Sequence, residues 1–267
     1  MNDGFPLNRP LRVLSWAFAV LTTCFLAAPS FIVILMSFSG SDFLELPPRT
    51  LSLRWYEAFL SSERWLGAAA TSFLLAGLVV MVAVPVGVLS AYGAMKMSLR
   101  WRSLVQAFML LPAVVPAILI AVGLFFFYSR IGLVGTLTGL VFGHAVLALP
   151  VVFLVMSAAF ASFDFDQVRA AQSLGAGEVT VWRIIILPQM VYNILVSSLL
   201  AFLTSLDEVV IAMLLSVGRR TTMPKLMFTS LRDQIDPIIA VVSTLLLVLA
   251  AVVVIVLQLR GNAVRKR

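Results

Sequence analysis

The residues able to do chemistry in this 267-residue chain are few, and their types already exclude several functions. One histidine, His144, leaves no pair for a zinc or haem arrangement of the usual kind. One cysteine, Cys24, excludes an internal disulfide and any Cys-cluster metal site. An intramembrane enzyme would need HExxH or a paired histidine and nucleophile, and a single His with a single Cys argues against it. No GxxxxGK[ST] phosphate loop occurs among the 15 glycines, so the chain does not bind ATP in the P-loop manner. What remains is an adjacent acidic pair, Asp207 and Glu208, after 23 uncharged residues and before the apolar run VVIAMLLSV at 209–217. If the preceding helix begins near Gln189, Asp207 lies about 27 Å along it at ~1.5 Å per residue. That depth is the outer half of a bilayer, where charge is costly and normally faces a cavity or a partner. Two readings stay open: an acidic lining for a cation, or the end of a span with 209–217 as a partly buried re-entrant piece.

The elements that must position these groups follow from composition. The chain is 61% hydrophobic and 12% charged, against about a quarter charged in ordinary soluble proteins; its mean hydropathy is +1.07. Uncharged runs occupy 13–41, 65–95, 103–129, 131–163, 184–206 and 237–259. Each is long enough for the ~20 residues that cross a ~30 Å hydrocarbon core. A spanning segment must satisfy its own backbone hydrogen bonds, and barrel-type alternation is absent. The expectation is an all-α polytopic membrane bundle of six transmembrane helices, organised as one transmembrane domain over 1–267.

Lysine and arginine placement sets the orientation. With the N-terminus inside, segments 1–12, 96–102, 164–183 and 260–267 hold 11 of the 19 basic residues. Arg9 and Arg12 precede the first span, and Arg260, Arg265, Lys266 and Arg267 follow the last. Both termini are therefore expected in the cytoplasm. Eight of the 12 acidic residues fall in the outer segments, so the net charge of +7 resides in inside anchors, not in a nucleic-acid surface. The first uncharged stretch of 29 residues exceeds the apolar core of a secretion signal, which favours a retained anchor.

Between the spans lie several features. The outer loop at 39–64 carries LSLRWYEAFLSSERW, whose Trp55, Tyr56, Phe59 and Trp65 predict a helix at the outer interface. It reads as a plain connector or as a contact for an external partner. Gly77, Gly87 and Gly93 punctuate the second span. Pro112 and Pro116 predict a kink in the third, facing a packed or wet interior more readily than lipid. Gly132, Gly135, Gly139 and Gly143 mark the fourth span; the last three lie four apart and predict close helix packing. His144 reads as a hydrogen-bonded helix histidine ahead of a proton relay.

The longest polar segment expected on the cytoplasmic side is DFDQVRAAQSLGAGEVTVWR, residues 164–183. Asp164 and Gln167 resemble a capping box, and Phe165, Val168, Ala171 and Leu174 give the helix behind it a narrow apolar stripe. Gly175 suits a left-handed helix end, Glu178 favours a second helix start, and Pro188 stands where the chain enters the fifth span. Two short helices joined at a glycine corner, with small Ala170 and Ala171, form either a docking hairpin or an ordinary connector.

The hairpin resembles the EAA signature of inner-membrane permease subunits of binding-protein-dependent ABC importers. That signature is Glu-Ala-Ala, three residues, Gly, nine residues, Ile-x-Leu-Pro; here it stands as Arg169-Ala170-Ala171, Gly175, then Ile185, Leu187 and Pro188, with every spacing kept. Arg169 replaces the usual Glu, which removes any contact that depends on a carboxylate there. The resemblance extends over the whole chain. It implies the type I importer permease fold, with the hairpin as a coupling helix seated on a cytoplasmic ATPase. It also implies two ABC ATPase subunits that use ATP and magnesium, and a second permease, a homologue of this one. An external, periplasmic substrate-binding protein completes the set, in a bacterial inner membrane with its lipids. This chain is then a transport subunit, not an enzyme, and holds no cofactor. SLDE, VVIAMLLSVG and TTMPKLMFTSLR are similar to the spermidine/putrescine branch, which implies a polyamine and gives Asp207 and Glu208 a place in its pathway. Related subunits move other small organic solutes. A stand-alone secondary transporter would show repeated halves and buried ionisable groups near mid-bilayer; no convincing repeat is visible, and only 207–208 interrupts the apolar chain.

Overall fold

A computed structural model of the protein describes residues 9–233 and 236–265. Among the described residues the regular elements are helices, with no strand and one isolated antiparallel bridge between Ser39 and Leu51. In chain order they are α1 (Arg9–Ser37), α2 (Arg54–Ser61), α3 (Glu63–Lys96), α4 (Leu99–Val114), α5 (Ala117–Ile131), α6 (Leu137–Ala161), α7 (Asp166–Ser173), α8 (Glu178–Val181), α9 (Leu187–Leu206), α10 (Val210–Leu215), α11 (Met223–Asp233) and α12 (Ile238–Arg265). Five helices are long and apolar enough to cross a membrane, and α4 with α5 makes a sixth if counted as one broken span. The all-α, multi-span expectation holds.

That third span differs from a simple kinked helix. α4 and α5 meet at 98°. Pro112 is absorbed inside α4, whereas Pro116 ends the helix. The physical cause is the residue before it: a proline ring crowds the preceding backbone out of the helical region. Val115 accordingly sits at φ −76°, ψ 132°, and α5 starts afresh as Leu119 N–H donates to Pro116 O at 2.9 Å.

The chain divides into two compact units, residues 1–62 with 230–254 and residues 63–229 with 255–267. In the first, the loop after α1 folds back and carries the short helix α2, which holds Trp55, Tyr56 and Phe59 of the aromatic pattern, whereas Trp65 belongs to α3. Tyr56 OH and Ser37 Oγ lie 2.8 Å apart, and Trp55 Nε1–H donates to Ser41 O at 3.0 Å. Arg54 pairs with Asp42 and lies 4.5 Å from the Trp55 ring centre. Most of the side chains of α1 point outward, including Phe18, Leu21 and Phe25. An apolar helix with no polar face suits surroundings that are themselves apolar.

In the second unit α3, α6 and α9 pack on one another, and α4, α5 and α10 lie against this trio. Small residues make the α3 seam: Ala68, Ser72, Ala76, Ala83, Gly87, Ala91 and Ala94 are all buried. A Cβ at Gly87 would stand 2.5 Å from Val152 Cγ1 on α6, so the absence of a side chain is what lets these helices approach. Lipid tails are as apolar as the helices, so this fit, not apolar burial, holds them together. The glycine run before His144 divides differently from its spacing. Gly132 (φ +71°) and Gly135 (φ +74°) build the turn between α5 and α6 outside either helix. Of the run, Gly143 makes the helix contact: a Cβ there would meet Ile211 and Leu215 of α10. Gly77 and Gly93 face open space.

Candidate functional site

Two places in the second unit hold the residues singled out by the sequence. The first is the hairpin. Asp164 Oδ1 accepts from Asp166 N–H at 2.9 Å and starts α7 through an Asx turn. The expected capping box is therefore only partly formed: Gln167 Nε2 reaches Asp164 Oδ2 at 3.5 Å, the limit of a hydrogen bond. Gln167 instead works across the hairpin, where its Oε1 accepts from Gln189 Nε2 at 2.8 Å.

The glycine corner is a complete Schellman turn. Gly175 N–H donates to Gln172 O and Ala176 N–H to Ala171 O, both at 3.0 Å. Such a turn requires its penultimate residue in the left-handed region, and Gly175 has φ +87°. Ala171 and Ala176, the two positions that touch across this motif, both pack partly against the core. Nothing lies within 4 Å of the position a Gly175 Cβ would take, so the demand for glycine comes from backbone conformation and not from space.

Beyond the corner the chain takes one helical path instead of forming a separate second helix. α8, a π turn at Trp182–Ile186 and α9 run on as a single candidate span, Glu178–Leu206. Pro188 explains the π turn. It has no N–H for the carbonyl four residues back and its ring crowds that carbonyl; one wide turn ahead of it relieves both.

Aromatic packing fixes this hairpin to the bundle. The Tyr92 ring on α3 lies 4.7 Å from Trp182 in an edge contact, 5.6 Å from Phe160 and 6.3 Å from Phe165. Phe163 meets Phe165 at 5.0 Å and Phe160 at 6.5 Å. Lys96 Nζ sits 4.6 Å from the Tyr92 ring centre and 3.0 Å from Glu178 Oε1. Aromatic pairs contribute ~0.5–1.5 kcal/mol each beyond area burial, exposed ion pairs ~0–1 kcal/mol. The rings, not the Lys96–Glu178 bridge, set the attachment. None of Tyr92, Lys96, Phe160 or Trp182 was singled out from sequence as a hairpin anchor, although Tyr92 and Lys96 stand one turn apart at the end of α3.

With the stripe half turned inward, an outer face remains. Val168 is buried and Phe165 half-buried, but Leu174, expected to continue the stripe, is 90% exposed, because the Schellman turn swings the chain away before it can reach the core. Arg169, Ala170 and Gly175 are exposed beside it. Arg169 Nη1 donates to Asp166 Oδ1 at 3.0 Å, a pair open to solvent on both sides. In the Ile-x-Leu-Pro segment the deeply buried side chain is Ile186; Ile185 is partly buried, and Leu187 and Pro188 point outward.

The second place is the break after α9. The helix ends at Leu206, Asp207 is its C-cap, and the six-residue α10 comes next. A span that ends here and a short, largely buried α10 fit one of the two readings the sequence left open, and an acidic lining at 207–208 stays beside it. Glu208 Oε1 accepts from Ile211 N–H at 2.8 Å, so this carboxylate closes the start of α10. Asp207 is exposed; its backbone N–H donates to Leu203 O at 3.0 Å, but its carboxylate has no hydrogen bond or ion pair among the described residues. At the far end of α10, Lys225 Nζ donates to Ser216 O at 2.6 Å and to Met213 O at 3.2 Å. Gly135 N–H donates to Leu215 O at 2.9 Å, tying the same end to the α5–α6 turn. His144, 1% exposed, shares a hydrogen bond of 3.1 Å with Ser205 Oγ near the end of α9, the bonded helix histidine expected from sequence. Sequence carries no signal for Lys225, because it stands twelve residues from Met213, the more distant of the two carbonyl-bearing residues it closes upon. Among the described residues no group of three or more His, Cys, Asp or Glu could hold a metal ion.

The arrangement can present a rigid corner to a protein surface on one side and a single unpaired carboxylate on the other. Comparison with known proteins gives these features a setting. The chain is 27% identical over 248 residues to the spermidine/putrescine transport system permease protein PotC of Escherichia coli strain K12, covering 93% of this chain and 94% of that one. To the putrescine transport system permease protein PotI of the same strain it is 28% identical over 250 residues, covering 90% and 88%. Among solved structures, a chain of a bacterial ABC transporter that imports the acidic polysaccharide alginate superposes with TM-score 0.71 at 17% identity, covering 95% of each chain. That likeness establishes the fold. Residues 83–266, which include both places described above, match the family described as the inner membrane component of binding-protein-dependent transport systems, and the chain belongs to that family: it is a multi-pass inner-membrane permease subunit.

Proposed function

We propose that this chain is one permease half of an ATP-driven importer that carries a small organic cation, of the polyamine class, into the cytoplasm. Near full-length similarity to two polyamine permeases supports the substrate class. The observation that carries the energy coupling is the hairpin at 164–188: a Schellman corner, locked by aromatic rings, that leaves Leu174 and the Arg169–Ala170 face open. A bundle with no phosphate loop receives its work through such a corner. Two cytoplasmic ATPases closing on ATP and magnesium push on Arg169, Ala170, Ala171 and Gly175. Ile185, Leu187 and Pro188 pass the displacement to α9. Rigid-body tilting of packed helices then exchanges outward- and inward-open states. A homologous second permease completes the pathway. An external binding protein delivers substrate, a role supported by the binding-protein dependence in the family's description. Both termini and the hairpin face the cytoplasm in this reading.

Asp207 lowers the cost for an ammonium-bearing solute entering a poorly solvated path, where charge interacts far more strongly than in water. The test is uptake of putrescine and spermidine by cells carrying the whole importer, together with co-purification of the ATPase. Uptake by this chain alone, or an ATPase that stays bound when the corner is destroyed, would sink the reading.

A further inference from the structure

The acidic pair is not a pair in function. We propose that Glu208 and Lys225 are positioning residues that pin the two ends of α10, leaving Asp207 as the one carboxylate free for substrate. The last clause rests on the importer reading above; the pin itself does not.

The geometry carries this in three steps. A helix of six residues has almost no internal ladder, so nearly all its backbone groups lack intrahelical partners and it does not hold its shape unaided. Here an anion sits at its N-terminal end, Glu208 Oε1 on Ile211 N–H, and a cation at its C-terminal end, Lys225 Nζ on Met213 O and Ser216 O. Both charges match the helix dipole, and charge-assisted hydrogen bonds are the stronger kind. Neither side chain forms an ion pair among the described residues, so each charge is committed to backbone.

The pin also has a mechanical meaning. Gly143 of α6 receives Ile211 and Leu215, and Leu215 O accepts from Gly135 N–H in the turn that leads into the same helix. Ile211, Ala212 and Leu215 are fully buried. A pinned α10 therefore travels with α6 and cannot lag behind it. From Gly143 to Ala161 is about 27 Å of helix at ~1.5 Å per residue, and a short link then leads the chain into the hairpin. Motion received at the corner thus reaches the neighbourhood of Asp207 along a single helix.

Conservative and disruptive variants separate the roles. In cells carrying the whole importer, with putrescine as the probe, Glu208→Gln keeps the acceptor and removes the charge; Glu208→Ala removes both. Lys225→Arg keeps donors, and Lys225→Met removes them. Losing a charged hydrogen bond predicts a fall of about tenfold in maximal uptake for Glu208→Ala and Lys225→Met, with KM within about twofold. Glu208→Gln and Lys225→Arg should stay within about threefold of the parent in both, since a neutral or rearranged bond survives. A Glu208→Gln variant that raises KM as far as Asp207→Asn overturns the division of roles, because the charge would then be meeting substrate. Lys225→Met with parental uptake overturns the pin.

A readout independent of substrate keeps the two readings apart. In a Cys24→Ser background with Met213→Cys, labelling by a charged maleimide should speed up about tenfold in Glu208→Ala and Lys225→Met, and not in Glu208→Gln. Unchanged labelling in the first two overturns the pin even if the importer carries some other solute. Should Glu208→Ala fail to accumulate, Lys225→Met and Glu208→Gln decide by the same criteria. Absence of putrescine uptake by the parent protein, with labelling as expected, refutes only the substrate.

Discussion

The hairpin at 164–188 and the α9–α10 break at 205–225 are both interruptions of a helical bundle, yet they are built by opposite means. At the hairpin the backbone satisfies itself. A Schellman turn answers the last carbonyls of α7, so its outer side chains are released and Arg169, Ala170 and Leu174 stand open. At the break the backbone is answered by side chains: Glu208 and Lys225 are consumed, and only Asp207 remains. An interruption in water can leave polar groups to solvent, so its side chains are free for a partner. One beside apolar surroundings has no such solvent, and an unsatisfied backbone group there costs several kcal/mol.

The largest effect should come from taking away the self-satisfied corner. Gly175→Val forces a β-branched side chain into φ +87°, a conformation costing more than 1–2 kcal/mol by order of magnitude. Uptake should fall by more than about tenfold and the ATPase should be lost on purification, whereas Gly175→Asn, which tolerates that region, should retain much of both. If Val and Asn behave alike, the corner does not depend on left-handed backbone.

Next comes the free carboxylate. Asp207→Asn should raise KM for putrescine by about tenfold, one ~1.4 kcal/mol interaction, with little change in maximal rate, as expected for lost substrate attraction. An unchanged KM would erase the functional half of the contrast.

A smaller effect tests the end of α9. Ser205→Ala removes the hydrogen-bonding partner of His144 Nδ1 and leaves a buried ring nitrogen bare, a loss of about 1 kcal/mol. It should appear as a lower melting temperature in detergent with KM preserved. The smallest belongs to Arg169→Ala. Its pair with Asp166 is solvated on both sides, so stability should change by less than about 0.5 kcal/mol. Any large effect on uptake would then report contact with the ATPase and not folding.

Particular residues show how far sequence reached. Gly175 was legible because a left-handed position leaves one acceptable residue, and Pro116 because proline acts on its immediate neighbour. The direction of the Arg169–Ala170 face was not, since a short stripe cannot say where the turn after it swings. Gly143 packs against α10 as its spacing predicts, but Gly135, at the same spacing, lies in a turn. Periodicity says which residues share a face only where the helix continues.

By itself the sequence determined the all-helical, multi-span character, the absence of a phosphate loop, and the glycine corner. Each rests on local chemistry: run length against membrane thickness, a missing motif, a single permissive residue. Only the tertiary structure decided which carboxylate of the adjacent two is spent on backbone, that Lys225 closes the other end of α10, and that Tyr92 and Trp182 lock the hairpin to the bundle. Those outcomes depend on groups apart in the chain meeting in space, Lys225 with Ser216 and Tyr92 with Trp182, and the chain carries no local signature of such meetings.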